Sequence, residues 1–293
     1  MKRIISLCLI IILMLCGCSA EPPAQVAATT LPVYEFTSRL CEGTDITVTR
    51  LVTEEVSCLH DYSLNVRQVK AAEQAELIVL SGAGLEEFMH DLLLHAETID
   101  SSAGIDLICP EERHDHAHED HHHPEHHHEE DPHIWLSPAH ARTMVQNISR
   151  GLSQKYPLHR DRFAENEAVL LEELDILLAY GQEVLSQLSC RELITFHDGF
   201  SYFAQAFDLT ILEAIEEESG SEASAKELIH LIEEVEHHAL PAVFTEKSGS
   251  VSAAGILARE TGCGSYALDM AMAGDSYFDA MYHNIDTIKE AMG

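Results

Sequence analysis

Two spacings of apolar residues alternate along most of the chain. Short runs rich in β-branched residues, typical of strands, cover residues 26–31, 46–52, 77–80 and 105–108. Between these runs, apolar residues recur every three or four positions, as they do on one face of a helix. Strands that alternate with helices favour a mostly parallel sheet with helices on its faces. The first half of the chain therefore predicts a small α/β lobe.

The same rhythm returns in the second half, after one exceptionally long helical pattern. Apolar residues keep a spacing of three and four through residues 158–189. A helix of ~30 residues spans about 45 Å, which suits a rigid strut between two lobes. Further short strands are predicted at residues 193–196, 209–212, 242–245 and 266–268. The predicted fold class is α/β, with two small lobes that have parallel-rich sheets, joined by one long helix.

The first residues carry an export signal rather than a part of the fold. Two basic residues precede an apolar run that is too short to span a bilayer and ends in Leu15-Cys16-Gly17-Cys18. This sequence is similar to a bacterial lipobox, in which the last cysteine, here Cys18, is acylated. The alternative is an ordinary secretory peptide that is cleaved nearby. No other run is long enough to cross a membrane, so we expect a lipoprotein anchored outside the cytoplasmic membrane.

These patterns divide the chain into five segments. They are listed here with the predicted bounds: a lipoprotein signal peptide (1–17), a lipidated tether (18–25), an N-terminal lobe (26–157), a linking helix (158–189) and a C-terminal lobe (190–293).

Composition narrows the possible partners. The chain has 50 acidic and 17 basic residues, for a net charge of −33, which argues against nucleic acid as a partner. Such a charge is compatible with attracting cations or with solubility alone. The cysteines form no C-x-x-C pair, so a cysteine-type zinc site is not expected. Two possible disulfides are Cys41–Cys58 and Cys190–Cys263. Cys109 makes the number of cysteines odd, and another possibility is that all five remain reduced.

One segment has an extreme composition. Residues 114–131 read HDHAHEDHHHPEHHHEED and hold many of the 20 histidines. Without apolar periodicity they cannot build a core, so we expect a surface loop. The loop would gather metal at low affinity, or it is an incidental insertion. Its predicted auxiliary ligands are His114, His116, His118, His121, His122, His123, His126, His127 and His128.

Three other histidines stand at positions where a binding site is expected. His60 and His197 follow predicted parallel strands, at the edge where open α/β sheets bind ligands, and His133 follows the His-rich segment. Neutral imidazole is a good zinc ligand. Asp61 and Asp198 come directly after two of these histidines. Each aspartate could orient a ligating ring, although Asp198 is better placed to cap a helix.

Four motifs in this order resemble one family of proteins. They are "HDYSLNVRQVKAAEQAELIVLSGAGLEEFM", "DPHIWLSPAHARTMVQNI", "ITFHDGFSYFAQAFDL" and "AVFTEKSGSVSAAGILARETG" followed by "ALD". They are similar to the metal-binding subunits of zinc and manganese ABC importers (cluster A-I solute-binding proteins). The resemblance covers nearly everything after the tether. It implies two α/β lobes with the metal in the cleft between them.

The resemblance also implies a ligand set. His60, His133 and His197 match the family's ligand positions, and Asp269 matches a fourth, for which water is the alternative. Manganese members usually offer glutamate at the third position, so three imidazoles favour Zn²⁺. Glu246, in the "FTE" motif, is interpreted as cleft structure or as a carboxylate behind a ligand.

The expected function is therefore transport rather than catalysis. We expect a monomer that captures Zn²⁺ and delivers it to an ABC permease and, indirectly, to the ATPase of that transporter. A carrier of manganese or another divalent metal, or a surface adhesin of the same family, is the alternative. A metallohydrolase is disfavoured because the chain has no H-E-x-x-H and no G-x-S-x-G motif.

Overall fold

The structure is a computed structural model of the whole chain. The residues it describes are 23–54, 59, 62–109, 130–215, 223–247, 249 and 251–293. No helix among them is both long enough and apolar enough to cross a membrane.

The first lobe is built on a four-stranded parallel sheet. Its strands are β1 (Val26–Ala28), β2 (Val48–Arg50), β3 (Leu77–Leu80) and β4 (Thr98–Asp100), in the spatial order β2-β1-β3-β4. The prediction of a fourth strand at residues 105–108 was wrong. That segment is irregular, and its apolar side chains pack against the core as a loop. The true edge strand buries only its central residue, so it carries a weak apolar signal.

Helices cover both faces of this sheet. They are α1 (Leu31–Leu40), α2 (Val66–Gln74), a single turn α3 (His90–Leu93) and α4 (Pro138–Lys155). Successive β1 side chains point to opposite faces. Val26 and Ala28 join the core shared with the second lobe, while Ala27 joins a separate cluster under α2. Both faces are buried, which explains the nearly continuous apolar strands.

The predicted strut is present as one helix. This helix, α5, spans Arg160–Leu185 and has 26 residues, a length of about 39 Å. Near its middle, Arg39 of α1 makes a bidentate contact with Glu173 of α5, with distances of 2.7 and 2.6 Å. Further along, Gly181 faces the ring of Phe207, and a Cβ at Gly181 would lie 2.2 Å from that ring. The helix therefore packs against both lobes.

The second lobe repeats the arrangement of the first. Its strands are β5 (Glu192–Thr195), β6 (Thr210–Ala214), β7 (Ala242–Glu246) and β8 (Gly264–Leu268), in the spatial order β6-β5-β7-β8 and all parallel. Its helices are α6 (Ser201–Ala206), α7 (Ala225–His238), α8 (Ser252–Thr261) and α9 (Tyr277–Met292). The two-lobed α/β prediction is confirmed.

One apolar core runs through both lobes. It joins residues of α1, α4 and α5 to residues of β5, α6 and α9. Buried hydrogen bonds cross the boundary: Trp135 Nε1 donates to the Met270 carbonyl at 2.8 Å, and the Tyr277 hydroxyl donates to the Trp135 carbonyl at 2.8 Å. A continuous core of this kind resists large lobe movements because interiors are close-packed.

The Cys190–Cys263 option is not formed, and Cys58 of the other option lies outside the described residues. Cys41, Cys109, Cys190 and Cys263 are free thiols. Burial raises the pKa of the Cys41 thiol to about 12, which makes it a poor nucleophile at neutral pH.

Candidate metal centre

His133 is fixed by the buried segment that follows it. Ile134, Trp135 and Leu136 form one turn of 3₁₀ helix and are fully buried. The ring of His133 packs against the ring of Trp135, with centroids 5.3 Å apart. Its own side chain is only 5% exposed. The apolar anchor therefore places a polar ring at the boundary between the lobes.

A carboxylate holds the inner nitrogen of that ring. Asp131 Oδ1 lies 2.8 Å from His133 Nδ1 and also accepts the backbone N–H of His133 at 2.9 Å. The two contacts fix both the ring plane and its backbone. Carboxylates in this position set the tautomer of metal-binding histidines. With Nδ1 occupied, Nε2 is the nitrogen left to bind a ligand.

His197 has the same arrangement on the second lobe. It follows β5, and the Thr195 hydroxyl donates to its carbonyl at 3.0 Å. Its Nδ1 lies 2.6 Å from Oε1 of Glu246, at the end of β7, and the Glu246 side chain is only 3% exposed. This contact is short but poorly aligned, and no other described group bonds either oxygen of Glu246. Within the part of the chain that the structure describes, the buried carboxylate therefore faces this imidazole alone.

The two rings meet across the boundary. His133 Nε2 and His197 Nε2 are 3.3 Å apart, and the ring planes are nearly perpendicular at 87°. When both Nδ1 atoms carry the proton that faces their carboxylates, both Nε2 atoms present lone pairs to each other. Two nitrogens bound tetrahedrally to one zinc ion lie about 3.3–3.4 Å apart, from Zn–N distances of about 2.0–2.1 Å. The pair thus has the spacing of two ligands of one ion.

A family model described as "Zinc-uptake complex component A periplasmic" (ZnuA) matches residues 26–291. The chain belongs to the ZnuA family. A protein of Treponema pallidum (strain Nichols) is 28% identical over 290 residues, which cover 94% of this chain and 92% of that protein. The zinc-binding lipoprotein AdcA of Streptococcus pneumoniae serotype 4 is 28% identical over 300 residues, but they cover only 58% of AdcA.

Solved structures agree with this membership. The Zn(II)-bound ZnuA-like domain of Streptococcus pneumoniae AdcA superposes with a TM-score of 0.76 at 26% identity, over 92% of this chain and 98% of that domain. The chain spans little more than half of AdcA itself, and its match corresponds to this domain.

Asp269 directly follows β8 in this ZnuA-family protein. Its Oδ2 lies 3.3 Å from Nζ of Lys247, and its Oδ1 accepts the backbone N–H of Ala271 at 2.8 Å. Its role as a fourth ligand stays a prediction. No group of three or more His, Cys, Asp or Glu side chains within the described ranges is arranged to hold a metal ion.

Several predicted residues lie outside the described ranges. They are His60, Asp61, Cys18 and the nine auxiliary histidines of residues 114–131. Asp198 is described and half-buried, but its expected capping role was wrong. Helix α6 begins two residues later than a cap at Asp198 requires: its N-cap is Phe200, with no side-chain cap.

Sequence reasoning missed the partners of Glu246 and Lys247, two adjacent residues at the end of β7. Glu246 faces His197, and the next residue faces Asp269. Each contact joins neighbouring parallel strands, so no local spacing in the sequence signals it. His140 is half-buried against the ring of Tyr202, and burial lowers the pKa of its imidazole.

Proposed function

We propose that this protein captures Zn²⁺ outside the cytoplasmic membrane and delivers it to an ABC permease. One observation carries the proposal: two imidazole Nε2 atoms from different lobes lie 3.3 Å apart, and each ring is backed by a carboxylate. A pair of this kind suits a borderline metal ion such as zinc better than a hard ion such as manganese.

The proposed ligand set extends beyond this pair. His60 supplies a third imidazole, and Asp269 or a water molecule completes a four-coordinate shell. Asp131 and Glu246 stand behind the ligands and hold their rings. A shell that the protein itself closes favours carriage of the ion over hydrolysis, which needs an open coordination position.

The cellular setting is proposed from the sequence and the relatives. A lipid on Cys18 and a short tether would keep the protein at the membrane, as the name of the Streptococcus pneumoniae lipoprotein AdcA indicates for that relative. The protein would act as a monomer with a permease and its ATPase. The His-rich residues 114–131 would gather zinc at low affinity and pass it to the cleft.

A metal competition experiment tests the proposal. The mature chain and a variant without residues 114–131 are stripped of metal, mixed with Zn²⁺ and excess Mn²⁺, and analysed for bound metal after desalting. We expect one tightly held zinc in both proteins. Retention of manganese instead would identify a manganese carrier. Loss of tight zinc from the deletion variant would show that residues 114–131, rather than the cleft, hold the tight site.

His60→Ala and Asp269→Asn define the rest of the shell in the same assay. A large loss of zinc affinity is expected for His60→Ala. A wild-type affinity in Asp269→Asn would favour water as the fourth ligand.

A further inference from the structure

A lysine contacts Asp269, the proposed fourth ligand of the metal site. The end of β7 pairs in parallel with the end of β8, with Glu246 opposite Leu268, and the backbone N–H of Lys247 donates to the Leu268 carbonyl at 2.8 Å. The next side chains on the two strands, Lys247 and Asp269, therefore meet, with Nζ 3.3 Å from Oδ2. The cation is held there by the register of the sheet.

Both oxygens of Asp269 are already engaged. Oδ1 accepts the backbone N–H of Ala271, and Oδ2 faces the ammonium group of Lys247. The backbone of Asp269 is fixed as well, because the fully buried Asn284 side chain bonds both its N–H and its carbonyl at 2.7 Å. Only the side chain of Asp269 is therefore left to move, and the lysine holds it.

The residue that follows Asp269 touches neighbours of both cleft histidines. Trp135, which packs on the His133 ring, donates its indole N–H to the carbonyl of Met270. On the other side, a Cβ at Gly199 would lie 2.6 Å from Cδ2 of His197 and 2.6 Å from Cε of Met270. Asp269 thus directly precedes a residue that touches the surroundings of both rings.

We propose that Lys247 is an internal counter-ion that occupies the Asp269 carboxylate and competes with zinc for it. This inference rests on the proposed function and names a residue that tunes it. Zinc binds the Asp269 carboxylate only when the ammonium group of Lys247 moves away from it. The lysine therefore weakens zinc binding and speeds zinc release. A carrier that must hand its ion to a permease needs such a release route. The Lys247 side chain is 65% exposed, which leaves it free to swing into solvent.

The size of the effect follows from that exposure. An exposed ion pair contributes little, because water and salt screen it. Removal of the lysine charge should therefore tighten zinc binding about threefold to fivefold at low salt. The gain should shrink at high salt and should come mainly from slower release.

The test is a double-mutant cycle on the full mature chain. Zinc affinity of the tightest site is measured by chelator competition, and zinc release by stopped flow, for wild type, K247M, D269N and K247M/D269N. We expect K247M to bind zinc about threefold to fivefold more tightly. We also expect D269N to cost more affinity in the K247M background than in wild type, because there no lysine competes with zinc for the carboxylate.

Matched variants separate this mechanism from a general charge effect. K289M removes a lysine from an exposed position on α9 of the same lobe and should leave zinc affinity unchanged, and K247R should behave like wild type. Equal tightening by K289M, or an equal cost of D269N in both backgrounds, would overturn the proposal. Failure of the zinc site itself would show differently, as tight zinc retained by a His133→Ala variant.

Discussion

The two sheets end alike but use their buried carboxylates differently. In each spatial order the third strand, β3 or β7, leads to a glutamate that is 4% exposed, Glu86 or Glu246. Glu86 accepts hydrogen bonds from the Thr29 hydroxyl at 2.6 Å and from the backbone N–H groups of Ser81 at 2.7 Å and Gly82 at 3.1 Å. All three donors belong to its own lobe. The first lobe therefore satisfies its carboxylate internally.

In the second lobe, the buried carboxylate of Glu246 faces the imidazole of His197. The described contacts of Glu246 bring only His197 Nδ1 within reach. A buried polar group without partners is costly, and such a cost is retained where the group has a task. Burial alone therefore does not mark a functional carboxylate. What marks Glu246 is a lack of local donors among the described residues, together with an imidazole that faces a second imidazole across the boundary between the lobes.

Replacement of the imidazole itself should give the largest effect. His197→Ala removes a proposed ligand, so zinc affinity should fall by more than ~100-fold, beyond the cost of losing an outer partner alone. Chelator competition measures this. His238→Ala is the matched control, because His238 also contacts a carboxylate, Glu192 at 2.9 Å, but on the surface of the second lobe. Tight zinc binding retained in His197→Ala would show that the tight zinc site does not lie in the cleft.

The carboxylate behind the ring should matter next. Glu246→Gln keeps the shape but removes the charge that holds Nδ1, so zinc affinity should fall about 10–100-fold. Glu192→Gln, which changes the same residue type beside His238, should leave zinc affinity unchanged. Isothermal titration with a competing chelator compares the two variants. Equal losses in both would show that net charge, rather than orientation, controls affinity.

The carboxylate of the first lobe should control stability instead of zinc binding. Burial raises the pKa of Glu86 to about 7, although the three donors oppose this shift. A raised folded-state pKa means that the folded state holds the proton more tightly. The stability it contributes is full below the unfolded pKa of about 4.5 and is lost as pH rises through about 7.

Glu86→Gln should therefore flatten the pH dependence of the free energy of unfolding. Between pH 5 and 6.5 the wild type should lose about 2 kcal/mol that the variant does not lose. Urea unfolding of metal-free protein measures this difference. Glu87→Gln, at the exposed neighbouring position, serves as the control. A wild-type slope in Glu86→Gln would assign the pH dependence to other groups.

The fold was largely predictable because strand and helix periodicities differ. The edge strand β4 was not, since only Ile99 in it is buried and a single apolar residue has no period. The loop at residues 105–108 was mistaken for it because packing against a core selects apolar residues whatever the backbone does. Apolar runs thus report burial first and secondary structure only through their spacing.

The two rings and Glu246, as a carboxylate behind a ligand, were predictable, but the pairing of Glu246 with His197 was not. Strand ends and the family resemblance pointed to His133 and His197. The adjacent Asp198 offered a local partner for His197, yet the observed partner of Nδ1 is Glu246. Parallel strands are joined by long crossovers, so residues that meet at their ends are distant in sequence. The Lys247–Asp269 pair escaped prediction for the same reason.

The smallest expected effect comes from a pair of threonines that hold the two strand ends. Thr29 donates to Glu86, and Thr195 donates to the carbonyl of His197. Replacement of either by valine keeps the shape and removes one buried hydrogen bond, which should lower the free energy of unfolding by about 1 kcal/mol. Only Thr195→Val should also weaken zinc binding, by a few fold, because its bond fixes the turn that carries His197. Weaker zinc binding in Thr29→Val would show that the first sheet's end is coupled to the site, and the division of roles between the two glutamates would then fail.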